Sequence, residues 1–305
     1  MRIRFKWFPD NFNPSNNLIT EVLTAKFPKL DIVYDNHAPC DLEVVSVFKP
    51  LTEKIKDRYL GRTRTSLSQS ALPWEYIPPL YNPHTSNFQR RIWYTSENLR
   101  PPVQAGLDGS ISFDQDELRG FNLYCPSWYE DIGLTGPKSI EALGVQSYSE
   151  DLLTKRTLKE RKTKFACVVL KHPNAFFSHS LRFIGEVGKV DIFNFDRNFP
   201  KVFPLLSDYR FVLCFENDLY PGYVTKMLLH GYLAGSVPIY WGDLGSDNSI
   251  NRASFLNMRD SRNVREFVAI LGNLTDERYR EVFEQPFLSS VPSVSKIAQF
   301  IIGSN

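Results

Sequence analysis

The sequence predicts an α/β protein built as two lobes, and three observations predict it. Strand-like and helical runs alternate through two separate blocks. A charged stretch poor in strand signals divides the blocks. At 305 residues the chain exceeds the length of a typical single domain. Strands alternating with helical segments build βαβ units, and hence a parallel sheet in each lobe. The division is placed at residue 150, giving lobes of 1–150 and 151–305, the second ending in a helical tail.

The first block opens with "RIRFKWF" (2–8), which alternates basic and apolar residues like a strand. "NLITEVLTAKF" (17–27) places apolar residues at helical spacing. "LDIVYD" (30–35), "DLEVVSVF" (41–48), "RRIWYTSEN" (90–98) and "GSISFD" (109–114) read as strands, and the Pro-rich stretches at 73–83 and 100–102 as loops. Residues 138–163 lose strand signals and gather Lys155, Arg156, Lys159, Arg161 and Lys162, predicting a linker helix. Such a run is either a solvated charged face or a basic surface for a weak contact with acidic lipid headgroups. In the second block, "KFACVVL" (164–170), "KVDIFNF" (189–195), "FVLCFEN" (211–217) and "SVPIYWG" (236–242) are strand-like. Helical segments lie at 177–188 and about 224–234.

Composition narrows the function. Thirty-six basic against 34 acidic residues give a net charge of +2, which argues against a nucleic-acid partner. Apolar stretches are broken by charges before they could span a bilayer, and the amino terminus lacks the apolar centre of a signal peptide. Cys40, Cys125, Cys167 and Cys214 show no disulfide spacing and read as buried free thiols. The expected location is the cytoplasm, with contact to the inner face of a membrane left open.

Ligands of open α/β sheets collect at the carboxyl ends of the strands. Two Glu-Asn pairs fall there, Glu97-Asn98 after "RIWYT" and Glu216-Asn217 after "FVLCF", one in each half. Phosphate loops, dinucleotide fingerprints, nucleophile elbows and zinc-helix motifs are missing. The five histidines lack ligand spacing, and "DQD" (114–116) reads as a solvated turn.

These residues resemble a known family. "FVLCFENDLYPGYVTKMLLHGYLAGSVPIYWGD" (211–243) is similar to the signature of the α-1,3-fucosyltransferases, glycosyltransferase family 10, in their soluble bacterial form. "IWYTSENLRPP" (92–102), "SFDQDELRGFNLYCPSW" (112–128) and the opening "WFPDNFNPSNNLITEVL" resemble other segments of that family, in order. The resemblance implies a GT-B fold, two Rossmann-like lobes with a cleft between them, the first for a glycan acceptor and the second for GDP-fucose. It implies an inverting transfer to a hydroxyl of a GlcNAc-containing glycan with Glu97 as general base, and no required cofactor; help from a divalent cation stays open. By resemblance Asn98 and Arg100 lie on the acceptor side, and Asn217 and Tyr223 on the donor side. Glu216 matches the signature, its role either structural or catalytic.

Two departures bear on the donor. The family reads Y-V-T-E-K where this chain has Tyr223-Val224-Thr225-Lys226-Met227. Lys226 thus stands one helical position, a rotation of about 100°, from the family's phosphate-binding lysine. Upstream, Phe177 or Ser178 occupies the place of a diphosphate-binding arginine, with Arg182 or Lys171 as substitutes. Losing two such cations costs about 1.5–3 kcal/mol each. Either Lys226 is a displaced phosphate ligand, for GDP-fucose or another nucleotide sugar, or the donor site has decayed, Lys226 is a surface residue and the protein only binds nucleotide sugar or glycan.

Overall fold

The computed structural model describes residues 1–47, 88–101, 106–141, 143–160, 162–170, 175–194 and 199–303. The Pro-rich stretch at 73–83, Arg161 and Lys171 lie outside the described residues.

The chain forms two compact units, residues 1–130 with 293–305, and residues 131–292. In the first, β1 (Arg2–Lys6), α1 (Leu18–Lys26), β2 (Asp31–Ile32), β3 (Cys40–Val45), β4 (Phe88–Tyr94), β5 (Gly109–Ser112) and β6 (Asn122–Tyr124) follow in order. The six strands make one parallel sheet ordered β2-β1-β3-β4-β5-β6. Helix α1 starts at Asn17, whose side chain accepts from the Thr20 amide while the Thr20 hydroxyl accepts from the Asn17 amide. Its apolar face, Leu18, Ile19, Val22 and Leu23, is buried.

The second unit begins with the antiparallel pair β7 (Lys138–Ile140) and β8 (Val145–Ser147). There follow β9 (Lys164–Leu170), α2 (Ala175–Ile184), β10 (Val190–Asn194), the short α3 (Phe199–Val202), β11 (Tyr209–Phe215), α4 (Lys226–Leu233), β12 (Val237–Trp241), β13 (Leu256–Asn257), α5 (Val264–Gly272) and α6 (Asp276–Phe283). The parallel sheet runs β10-β9-β11-β12-β13. Its inner strands β9, β11 and β12 are near-continuous apolar runs, as strands covered on both faces require. Ala166, Val168, Phe211, Leu213, Val237 and Ile239 are all buried in one core.

The expected boundary and tail need correction. The division falls at residue 131 rather than 150, and the last helix, α7 (Val294–Ile302), belongs to the first unit. Arg90 on β4 decides this: its guanidinium donates to the carbonyls of Ile301 (2.8 Å) and Phe300 (3.0 Å), filling acceptors that a helix end leaves open.

The linker helix is also absent. Residues 154–160 have no helical structure, and Arg156 is a staple instead of a solvated charge. Its guanidinium donates to the carbonyls of Phe283 (2.6 Å), Tyr232 (2.7 Å) and Ser236 (2.6 Å). It lies 3.9 Å from the ring centroids of both Tyr232 and Phe283. Burial pulls its pKa down to about 10. The forked donors of arginine reach several carbonyls at once, which a charge run read by sign alone does not reveal. Lys162 donates to the Ser207 carbonyl and Lys164 pairs with Asp208 (3.0 Å), so several members of the basic cluster serve the fold.

All four cysteines are free and buried. No described helix is long and apolar enough to cross a membrane.

Candidate active site

In both sheets the strand order reverses once, between β1 and β3 in the first unit and between β9 and β11 in the second. Crevices at such switch points, outside the carboxyl ends of the strands, are where open α/β sheets bind ligands. The chain leaving β11 at its switch point is Glu216-Asn217, followed by a turn that leads into α4.

That turn is tied down by a few contacts. Glu216 is only 1% exposed. Its Oε1 accepts the Thr225 amide (2.8 Å) and the Tyr240 hydroxyl (3.3 Å). Its Oε2 meets no hydrogen-bond partner among the described residues. Burial raises its pKa to about 7, against the lowering effect of hydrogen bonds from Thr225 and Tyr240. Gly242 is required beside it, because a Cβ there would collide with the Tyr240 ring hydroxyl and approach Glu216 Cγ to 2.6 Å. The Tyr223 hydroxyl donates to Asn217 Oδ1 (2.9 Å), so the two expected donor-side residues are in contact. Asn217 is exposed and Tyr223 buried. Thr225 caps α4, its hydroxyl accepting from the Met227 amide (3.4 Å). Gly231 lets α4 lie close on β11, since a Cβ there would sit 2.7 Å from Cys214 Sγ.

Lys226 opens α4 and is half-buried. Its Nζ donates to Asp131 Oδ1 (3.0 Å), and His230, one turn on, places Nε2 2.8 Å from Asp131 Oδ2. One carboxylate therefore clamps positions i and i+4 of the helix. Burial works to raise the Asp131 pKa, but the His230 hydrogen bond and the Lys226 charge outweigh it and hold the group at about 2. Asp131 was not foreseen, and no spacing in the sequence marks it. Nor was the pair formed by Arg259 and Asp243 (2.6 Å), next to Gly242.

Arg182 is not brought to this edge. It lies in the last turn of α2, exposed, with its guanidinium 5.2 Å from the Phe183 ring centroid. Seven positions separate it from the helix start, about 10 Å along the axis. Phe177 is buried against Phe215 and Trp241, so its position serves the core. Ser178 is exposed.

In the first unit Glu97 is exposed on the loop after β4. Its amide donates to Thr95 Oγ1 (3.1 Å) and its carbonyl accepts the Leu99 amide (2.7 Å), which shapes the loop and leaves the carboxylate outward. Asn98 is half-buried beside it. Arg100 pairs with Asp114 Oδ2 (3.3 Å). "DQD" is a structured turn rather than a solvated one: Asp114 is buried, and Asn122 Nδ2 donates to the carbonyls of Asp114 (2.8 Å) and Asp116 (3.0 Å). Among the described residues no group of three His, Cys, Asp or Glu could hold a metal ion.

Residues 158–290 match the family model for glycosyltransferase family 10 (fucosyltransferase), C-terminal part. The α-(1,3)-fucosyltransferase FucT of Helicobacter pylori is 27% identical over 208 residues, 59% of this chain and 43% of that protein. The 4-galactosyl-N-acetylglucosaminide 3-α-L-fucosyltransferase 9 of Bos taurus is 28% identical over 210 residues, 66% of this chain and 51% of that protein. The chain spans about half the length, or less, of these curated relatives. A crystal structure of α1,3-fucosyltransferase superposes with a TM-score of 0.66 at 20% identity, covering 100% of this chain and 90% of that one. A second, with GDP-fucose, gives 0.63. The fold is therefore of the GT-B type, α/β throughout, and residues 158–290 are similar in sequence to the C-terminal part of the family 10 fucosyltransferases.

Proposed function

We propose that the protein is an inverting glycosyltransferase that moves fucose from GDP-fucose to a hydroxyl of a GlcNAc-containing glycan. One observation carries the reading: the tied turn Glu216–Thr225, with Asn217 held against Tyr223, presents the start of α4 at the switch point of its sheet. The positive end of the α4 dipole suits a diphosphate there. The printed names of the relatives, and a solved structure of the same fold with GDP-fucose, support the donor class.

In this reading Glu97 takes the proton of the acceptor hydroxyl as that oxygen bonds to the anomeric carbon. The bond from that carbon to the diphosphate breaks, and GDP leaves with the electron pair. Asn217 and Tyr223 border the donor, and the α4 amides meet the leaving charge. Asn98 and Arg100 border the acceptor, Arg100 oriented by Asp114. In this reading Lys226 stays paired with Asp131, and Arg182, exposed in the last turn of α2, takes no part.

A second reading, another nucleotide sugar or a protein that only binds one, is favoured by the neutralised Lys226 and the apolar Phe177. A thermal-shift panel of GDP, GDP-fucose, GDP-mannose, UDP and UDP-GlcNAc decides between donors. A ligand at a hundred times its Kd stabilises by about 2.7 kcal/mol. Stabilisation by GDP and GDP-fucose alone supports the fucosyl reading, and preference for another nucleotide replaces it. Glu97→Gln then separates an enzyme from a binding protein: it abolishes transfer and leaves the donor shift intact.

A further inference from the structure

The buried carboxyl of Glu216 is more than a fastening. An isosteric glutamine could accept the Thr225 amide equally well without burying a titratable group. Glutamate here is instead 1% exposed, with Oε2 lacking a hydrogen-bond partner among the described residues. Burying an ionisable group without full partners is costly and marks functional positions.

The groups facing it are few. From the start of α4 come the Thr225 amide and hydroxyl, and from β12 the Tyr240 hydroxyl. Gly242 lies beside its Cγ, and the Glu216 amide donates to the Trp241 carbonyl (2.8 Å). Cys214, two residues earlier on β11, is a thiol whose pKa burial pushes up, so it brings no negative charge. Among the described residues no cation pairs with Glu216. Among the described residues only these neutral donors offset the charge of an ionised Glu216 when a second negative charge arrives at the same turn.

We propose that Glu216 is the positioning residue of the donor side: it sets the Asn217–Thr225 turn, and it takes up one proton from solvent when an anionic nucleotide-sugar diphosphate docks at the start of α4. The inference rests on the donor reading above. In the free protein near neutral pH the carboxyl is divided between its two forms, because burial has raised its pKa to about 7. An approaching diphosphate raises it further, so binding and protonation are linked. Affinity then strengthens as pH falls through this range. Phosphates esterified on both sides do not titrate there, so the dependence belongs to the protein.

The test is calorimetric titration of GDP-fucose and GDP-mannose into the full chain between pH 6 and pH 8.5, using wild type, Glu216→Gln and Glu216→Ala. Wild-type affinity is expected to weaken by about tenfold per pH unit at the alkaline end. Glu216→Gln is expected to bind like wild type at low pH and to lose the slope. Glu216→Ala is expected to bind at least tenfold more weakly than Glu216→Gln at every pH. A flat wild-type profile, or an unchanged slope in Glu216→Gln, overturns the proton linkage. Equal binding by Glu216→Ala and Glu216→Gln overturns the positioning role. Hydrogen exchange of the Thr225 amide, measured without ligand, judges that role separately: Glu216→Ala is expected to lose protection that Glu216→Gln keeps, and equal protection refutes it. If no form binds either nucleotide sugar at any pH, the donor reading and the proton uptake fall together, and the exchange result still decides the positioning role.

Discussion

Among the described residues two glutamates are buried beside parallel strands, and they are held in opposite ways. Glu43 on β3 is 0% exposed and lies in register between Arg4 on β1 and Arg91 on β4. Arg4 Nε and Lys6 Nζ each sit 3.0 Å from its Oε1, and Arg91 Nε sits 2.8 Å from its Oε2. The last pair is close in distance although its angle is not that of a hydrogen bond. Arg4 also donates to the carbonyls of Asp35 (3.1 Å), Asn36 (2.8 Å) and Ala38 (3.0 Å), which anchors the chain between β2 and β3. Among the described residues Glu216 meets the Thr225 amide and the Tyr240 hydroxyl and no cation. A carboxylate paired with cations from both flanking strands is bound into the fold, whereas the one supported only by neutral donors has its pKa raised by burial. The difference separates an architectural group from one available to the chemistry of a site.

The sharpest way to break this contrast is Glu43→Ala. It removes the carboxylate from between two buried arginines and the partly exposed Lys6, and should cost about 3–5 kcal/mol in denaturant unfolding. A loss below about 1 kcal/mol would mean that the cations escape to water and that the ladder is not structural.

Glu216→Gln should act with the opposite sign. A carboxyl whose folded pKa is raised to about 7 contributes stability that is complete below its unfolded value near 4.5 and is lost as pH rises through 7. The glutamine variant escapes that loss. Its advantage over wild type should therefore grow between pH 5 and pH 8, towards about 3 kcal/mol. Unfolding curves at both pH values measure it, and a difference that stays constant with pH would show that burial does not raise the Glu216 pKa.

Arg156→Ala sharpens the comparison from the cationic side. It uncovers three carbonyls and two ring faces and should lose about 2–3 kcal/mol. Arg156→Lys should recover less than half, because an ammonium cannot reach three carbonyls in one plane.

Asp131→Asn should have the smallest effect, about 2 kcal/mol at neutral pH. Asp131 has a folded pKa lowered from 3.8 to about 2, so its contribution is present above 3.8 and lost as pH falls through 2. Wild type and variant should converge in acid unfolding near pH 2. The same variant frees Lys226, so its effect on GDP-fucose affinity shows whether that lysine serves the donor.

Much of this architecture was legible in the sequence, because the hydrophobic period of a strand or helix is a local property. Both parallel sheets, the helix over 226–233 and the turn after β11 follow from runs such as "KFACVVL" and "FVLCFEN" and from the glycines that punctuate them. The contact between Asn217 and Tyr223 was within reach because only six positions separate them. The same local logic placed Glu97 on a loop at a strand end.

Partners distant in sequence were decided by tertiary structure alone. Nothing in "TKRTLKE" shows that Arg156 folds back onto carbonyls at 232, 236 and 283, so a charge run was read as a helix. Nothing near residue 300 shows that α7 closes on Arg90. Lys226 was read as a ligand or a surface residue, but Asp131, 95 positions earlier, made it a half-buried ion pair. The sequence by itself determined which segments become strands and helices and which acids fall at their ends. Which charges are neutralised, and which stay free to titrate, depends on burial and on partners far away in the chain, and only the folded molecule sets these.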